Sequence, residues 1–159
     1  MNTENIAHYL YGRAPAEDEL MNAVFSGENM VDALKTAANQ HKFLYIAKIR
    51  LWNELHMALV GCPGTEPISH EPLSQAIVGV DFVDDGQVAY TLLEDLEDIV
   101  FALNEVDESA FLEKYLQQNG VKNRDAALTE FRALRDFYNK CQDFHGDDDC
   151  ILVVGIYRD

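Results

Sequence analysis

The sequence has no lysine or arginine between Leu51 and Glu113, a stretch that carries 14 aspartates and glutamates. The rest of the chain holds 14 acidic residues and all 12 basic ones, so nearly all of the net charge of −16 belongs to this one segment. Nucleic acids and anionic membrane surfaces are bound mainly through Lys and Arg. The charge therefore argues against both as partners and favours a basic protein.

Cysteine is also scarce: Cys62, Cys141 and Cys150 are widely spaced and form no C-x-x-C pair. This spacing argues against a disulfide framework and against a structural zinc site, and it is typical of a reducing compartment. The start of the sequence lacks the basic and apolar regions of a secretory signal. The longest apolar run, 150–157, is far shorter than the ~18 residues that a membrane-spanning helix needs. We therefore expect a cytoplasmic protein.

The apolar content predicts one domain over residues 1–159, because 48% of the residues are hydrophobic and 10% are aromatic. The C-terminal run 150–157 is apolar at consecutive positions, which predicts a well-covered strand. We expect an α+β fold, mostly helical, with a small sheet that includes this C-terminal strand. Helices are predicted over 51–60 and 72–78, after the capping residues Thr91, Asp107 and Asn123, and a short strand over 87–90.

The N-terminal region is less regular. Ile6, Tyr9 and Leu10 have helical spacing, which predicts a short helix within residues 1–13. The run FLYIAKI, within 41–49, fits a buried helix or a strand equally well. Further helices are predicted from Pro15 onwards and over 30–38.

Three features together resemble the YfbM-like family of bacterial proteins. Residues 52–61 carry a W-x-x-L-H-x-x-L-x-G pattern and residues 72–79 a P-L-S-x-A-I-x-G pattern. The third feature is the order that follows: a strand ending in Tyr90, three helices and a terminal apolar strand. The resemblance covers roughly residues 50–157 and implies an α+β fold, but it transfers no activity because none is established for the family. Family members open with a short strand, from which the predicted N-terminal helix departs.

The acidic segment provides a candidate partner-binding surface. Thr91 and Glu94 form a capping-box pattern, and the helix it opens has apolar residues on one side and acidic residues on the other. A surface of one sign accelerates association with cationic proteins, so an immunity protein that neutralises a basic toxin or nuclease is one concrete form. The same acidity also suits a housekeeping protein whose charge only maintains solubility. The candidate residues are Asp84, Asp85, Glu94, Asp95, Asp98, Glu105 and Glu108.

A second hypothesis concerns Trp52 and His56, which lie one helical turn apart and share a face. In a ligand-binding protein or enzyme, His56 would act as a general base or ligand contact in a pocket formed with Trp52 and Tyr90. In a structural role, Trp52 would anchor the core and His56 would be a hydrogen-bonded neighbour. We favour the structural role, because no second titratable group has a spacing that must bring it to His56.

No motif predicts catalysis or metal binding. The five histidines include no H-x-x-x-H or H-E-x-x-H pair, and the aspartates at 147–149 lack the spacing of a calcium loop. Cys62 follows a helix C-terminus, where the helix dipole disfavours a thiolate. We therefore predict a protein that is not an enzyme and holds no metal or cofactor.

Overall fold

The computed structural model describes residues 5–13, 32, 43–83, 88–91, 93–144 and 150–157. The predicted helix after Pro15 lies outside these residues, and of the one over 30–38 only Asp32 is described, in helical conformation. The elements, in chain order, are strands β1 (Ile6–Arg13) and β2 (Phe43–Ile49), helices α1 (Trp52–Val60) and α2 (Pro72–Val78), strands β3 (Asp81–Val83) and β4 (Val88–Thr91), helices α3 (Leu93–Asn104), α4 (Glu108–Asn119) and α5 (Arg124–Phe144), and strand β5 (Cys150–Tyr157).

The strands form one sheet of order β2-β1-β5-β4-β3, in which every neighbouring pair is antiparallel. The C-terminal strand β5 lies at its centre, as its apolar sequence predicts. The helices supply the other half of the core, which confirms the α+β class. None of the helices described here combines the length and the apolar character needed to traverse a bilayer.

The helices pack against one face of the sheet. On that face, Tyr9 of β1 and Val154 of β5 join the core cluster together with Leu55 of α1. Successive strand residues point to opposite faces, so Leu10 and Val153 lie on the other one. These two residues are buried as well. Strands β1 and β5 are therefore buried on both faces along their central residues.

The helix predicted within residues 1–13 is wrong, because Ile6–Arg13 forms β1, which pairs with both β2 and β5. Tyr9 and Leu10 do not share a helix face; they point to opposite sides of the sheet. A strand buried on both faces lacks polar alternation, so the period of two could not be recognised. The opening strand also fits the pattern of the YfbM-like family, and the ambiguous FLYIAKI run is β2.

Several local signals are confirmed. Gly61 ends α1 in the left-handed region with φ 101°, and the Asp107 carboxylate accepts the amide hydrogens of Ser109 and Ala110 at the start of α4. The predicted capping box at Thr91 is not formed. Thr91 is the last residue of β4, and its buried hydroxyl has no hydrogen-bond partner in the described part of the chain.

Two buried tyrosines fix the position of α2. The Tyr9 hydroxyl donates to the carbonyl of Ile77 at 2.6 Å, and the Tyr138 hydroxyl donates to the carbonyl of Ala76 at 2.6 Å. Burial raises the pKa of both phenols, so they remain protonated donors. The last turn of α2 is thus tied to the sheet by one residue and to α5 by the other.

The approach of α2 to the sheet also requires glycine at its end. Gly79 has φ 91°, and a Cβ built there would lie 2.4 Å from the Cβ of Ala89 on β4. Any larger residue would push α2 away from β4 in addition to its backbone strain. This contact gives a physical reason for the final glycine of the 72–79 pattern.

Replacing Tyr138 with phenylalanine removes the hydroxyl and keeps the ring. We expect the free energy of unfolding to fall by about 1–3 kcal/mol, because the Ala76 carbonyl loses its donor at a buried position. Urea unfolding followed by circular dichroism measures the change. Tyr9→Phe should have a similar effect, because it removes the hydroxyl that donates to the carbonyl of Ile77. A loss below about 0.5 kcal/mol in both variants would contradict the anchoring role.

Candidate functional site

His56 of α1 is fully buried and hydrogen-bonded at both ring nitrogens. Its Nδ1 lies 2.6 Å from the carbonyl oxygen of Cys62, and its Nε2 lies 2.7 Å from the hydroxyl of Ser74. A carbonyl only accepts, so Nδ1 carries the proton and Nε2 accepts the hydrogen of Ser74. The Ser74 oxygen in turn accepts the amide hydrogen of Ile68 at 3.0 Å. The neutral imidazole therefore joins α1, α2 and the loop 61–70.

This arrangement supports the structural role of His56. Burial lowers its pKa, against the smaller opposite effect of the Cys62 carbonyl, so the ring is neutral near pH 7. A histidine beside a serine also occurs in enzymes that activate a hydroxyl nucleophile. Here, however, Ser74 is fully buried, and its oxygen is already engaged by the backbone. The pair is inaccessible to a substrate in this conformation.

Trp52 and Asn53 hold the same loop from the start of α1. The indole Nε1 of Trp52 donates to the carbonyl of Asn5 at 3.0 Å, and its ring lies directly against Gly64. A Cβ at residue 64 would lie 2.5 Å from the ring, so only glycine allows this contact. The Asn53 side chain accepts the amide hydrogen of Gly64 at 2.7 Å. The residues of the W-x-x-L-H pattern thus organise the loop 61–70.

Tyr90 does not complete a pocket with these residues. It lies on β4 opposite Val153, whose side chain points to the face of the sheet away from the core cluster. Helix α1 packs on the other face through Leu55. The sheet therefore lies between Tyr90 and the pair Trp52 and His56.

The two hydrogen bonds of the buried, neutral His56 predict that the stability of the fold depends on pH. The pKa of His56 is lower in the folded chain than the value of about 6.5 in an unfolded one, so the stabilisation is complete above pH 6.5. It is lost as the pH falls from there through the folded pKa. We expect His56→Gln to be less stable than wild type at pH 7.5, and to lose less stability between pH 7.5 and 5.5. Chemical unfolding at several pH values measures this.

The matched control for this experiment is His70→Gln, because His70 is exposed. It should reproduce the wild-type pH profile. Parallel profiles for wild type and His56→Gln would show that His56 is not responsible for the acid sensitivity.

Three of the acidic candidates, Glu94, Asp98 and Glu105, lie on the outer face of α3. We name this surface the acidic stripe; it consists of Glu94, Glu97, Asp98, Phe101 and Glu105, which are all exposed. Their spacing of three or four residues places them on one side of the helix. Phe101, 67% exposed, occupies the middle of this side. The stripe is therefore an aromatic side chain surrounded by carboxylates.

A shallow groove lies beside Phe101. It has a volume of about 340 Å³ and is lined by Glu97, Asp98 and Phe101 together with Asn104 of α3 and Gln142 of α5. Asn104 exchanges two amide hydrogen bonds with Asn139, at 3.0 and 3.1 Å, which fix α3 to α5 below the groove. The helix that carries the stripe is therefore joined to α5 at this end.

Asp95 lies at the edge of the stripe and is half-buried. Burial raises its pKa, and the neighbouring carboxylates Glu94, Asp81 and Asp98 add to this effect. The carboxylates thus repel each other at neutral pH, and the fold keeps them together. Asp81 belongs to this acidic region although the sequence did not single it out.

Three of the predicted acidic residues remain. Asp84 and Asp85 lie outside the described residues. Glu108 faces α5, where its carboxylate accepts hydrogen bonds from Arg132, the shortest at 2.7 Å, and lies 3.6 Å from Arg135. The hydrogen bond from Arg132 is the main cause that lowers the pKa of Glu108. Glu108 therefore joins α4 to α5 and does not extend the stripe.

Sequence reasoning missed Phe101, which gives the stripe its apolar centre. The signal was available, since Phe101 follows Glu97 by four residues and Asp98 by three, on the polar side of an amphipathic helix.

Metal binding has no candidate in the described residues, where no three His, Cys, Asp or Glu side chains are grouped to hold an ion.

Comparison with known proteins adds the family. Residues 6–147 match the family model described as a domain of unknown function, DUF1877. The chain belongs to this family. A solved structure similar to this DUF1877 chain is that of YfbM from Escherichia coli, a protein of unknown function. The two share 16% sequence identity and a TM-score of 0.69, over 95% of this chain and 99% of the YfbM chain. The resemblance to the YfbM-like family is confirmed, and at this identity it shows the fold alone.

A comparison with curated proteins found no match to this chain. The family match begins at Ile6, the first residue of β1, so the opening strand is part of the common domain. The function must therefore be inferred from the surfaces described above.

Proposed function

We propose that this protein binds a cationic protein through the acidic stripe of α3 and acts by occluding it. The observation that carries the proposal is Phe101, an aromatic side chain that is 67% exposed at the centre of four carboxylates. Aromatic anchors with polar surroundings are typical of the residues that contribute most to protein–protein binding.

The charge of the stripe supports the choice of a cationic partner. Glu94, Glu97, Asp98 and Glu105 carry one sign, and no Lys or Arg occurs between Leu51 and Glu113 to neutralise them. Such a field steers oppositely charged proteins and raises their association rate. It repels nucleic acids and anionic lipids for the same reason. The partner in this proposal is a basic protein.

The concrete form that we favour is an inhibitor, such as an immunity protein that neutralises a basic toxin or nuclease in the cytoplasm. The carboxylates would occupy the cationic groove that otherwise receives phosphates, and Phe101 would fill an apolar pocket at its centre. In this proposal the protein is not an enzyme, which agrees with the burial of His56 and Ser74.

The test is a pull-down from an extract of the source cells at about 20 mM and about 500 mM NaCl. The stripe variant combines Glu94→Gln, Asp98→Asn and Glu105→Gln, and a second variant is Phe101→Ser. We expect wild type to retain a basic protein at low salt, and both variants to lose it. Both should remain folded, because the substituted side chains are exposed.

The matched control combines Glu113→Gln, Asp136→Asn and Asp143→Asn, which removes three exposed charges from α4 and α5 instead. It should retain the partner as wild type does. If this control loses the partner equally, net charge and not the stripe determines binding. If wild type retains nothing basic at either salt concentration, the acidity serves solubility and the proposal fails.

A further inference from the structure

A cavity of about 590 Å³ opens between helices α1, α4 and α5 and the start of strand β1. The beginning of α1, the end of α4 and the beginning of α5 form its walls. Its volume is in the range of pockets that hold small molecules. None of the acidic-stripe residues lines it.

The cavity contains the cationic groups that the acidic segment lacks. Arg50 and Lys122 both line it, and neither has an ion-pair partner among the residues that the structure describes. Asn123 and Ala126, at the start of α5, form the wall beside them. The first-turn amide groups of a helix have no intrahelical partner and favour negative charge. This end of the cavity suits a carboxylate.

The opposite charge is provided by Glu54 in the first turn of α1. Beside it lies Tyr115, which is 1% exposed and lines the cavity. Burial raises the pKa of Tyr115, and Glu54 and Glu130 add to this effect, which agrees with their proximity. A carboxylate and a phenol oxygen suit an ammonium group.

Glu130 also lines the cavity but is already engaged. Its carboxylate accepts the amide hydrogens of Arg50 and Leu51, at 3.0 and 2.8 Å, and so caps α1, whose N-cap residue Leu51 has no capping side chain. The helix amides therefore compensate its charge. Arg50, Lys122 and Glu54 remain as the charged groups available to a ligand.

We propose that this cavity binds a small zwitterion of the amino-acid class. The carboxylate of the ligand pairs with Arg50 and Lys122, and its ammonium group pairs with Glu54 and the Tyr115 hydroxyl. Charged groups of both signs distinguish this cavity from a site for a simple anion. The site is independent of the acidic stripe and would remain if the stripe had no partner.

The test is isothermal titration of the purified protein with each of the twenty amino acids. Succinate and 1,5-diaminopentane serve as probes that carry a single sign of charge. We expect at least one amino acid to bind, and Glu54→Gln and Lys122→Met each to weaken it by about tenfold or more through loss of a charged contact. The single-sign probes should bind more weakly than that amino acid.

The controls are Glu113→Gln and Lys140→Met, which make the same chemical changes at exposed positions away from the cavity. They should change the affinity by less than about twofold. The proposal is overturned if no amino acid binds at about 10 mM, or if the cavity variants bind as wild type does. Succinate binding that exceeds that of every amino acid and is unaffected by Glu54→Gln would show an anion site instead.

Discussion

The position of α2 is the constraint on which the rest of the structure depends. This short helix ends in two carbonyls that receive buried hydroxyls, one from Tyr9 in the sheet and one from Tyr138 in α5. Ser74, on the same helix, receives the loop amide of Ile68 and donates to His56. Sheet, long helix and loop are thereby joined through one seven-residue segment. Helix α3 packs against α2 and α5, so the helix that carries the acidic stripe is held by both elements.

The sequence contained enough information for the class, the family and most elements, since helices with one apolar face and marked ends can be recognised locally. Strand β1 could not be recognised, because both of its faces are buried and its spacing of apolar residues imitates a helix. The failed cap at Thr91 has a similar cause: pairing of Thr91 with Leu152 of β5 keeps the residue in the sheet. In both cases a partner distant in sequence decided the local structure.

The candidate sites show the same limit. Spacing placed Trp52 and His56 on one face of α1, and the lack of a second titratable group at a suitable spacing favoured a structural role. The hydrogen bonds to Cys62 and Ser74 depend on the three-dimensional structure. Tyr90 was separated from them by the sheet, whose register the sequence does not reveal. The cavity between α1, α4 and α5 combines residues from positions 5 to 130, which no local motif could have connected.

Burial, and to a smaller extent the neighbouring carboxylates of Glu94, Asp81 and Asp98, raises the pKa of Asp95 at the edge of the acidic stripe, so keeping Asp95 ionised at neutral pH costs stability. Proteins retain destabilising groups where function needs them, and this supports a binding role for the stripe. The measurement that tests this claim most directly is the kinetics of binding to the captured basic protein at increasing ionic strength. The account predicts that salt slows association of wild type much more than that of the stripe variant, and that Phe101→Ser mainly accelerates dissociation. Association rates that are independent of salt, and equal in wild type and the stripe variant, would contradict it.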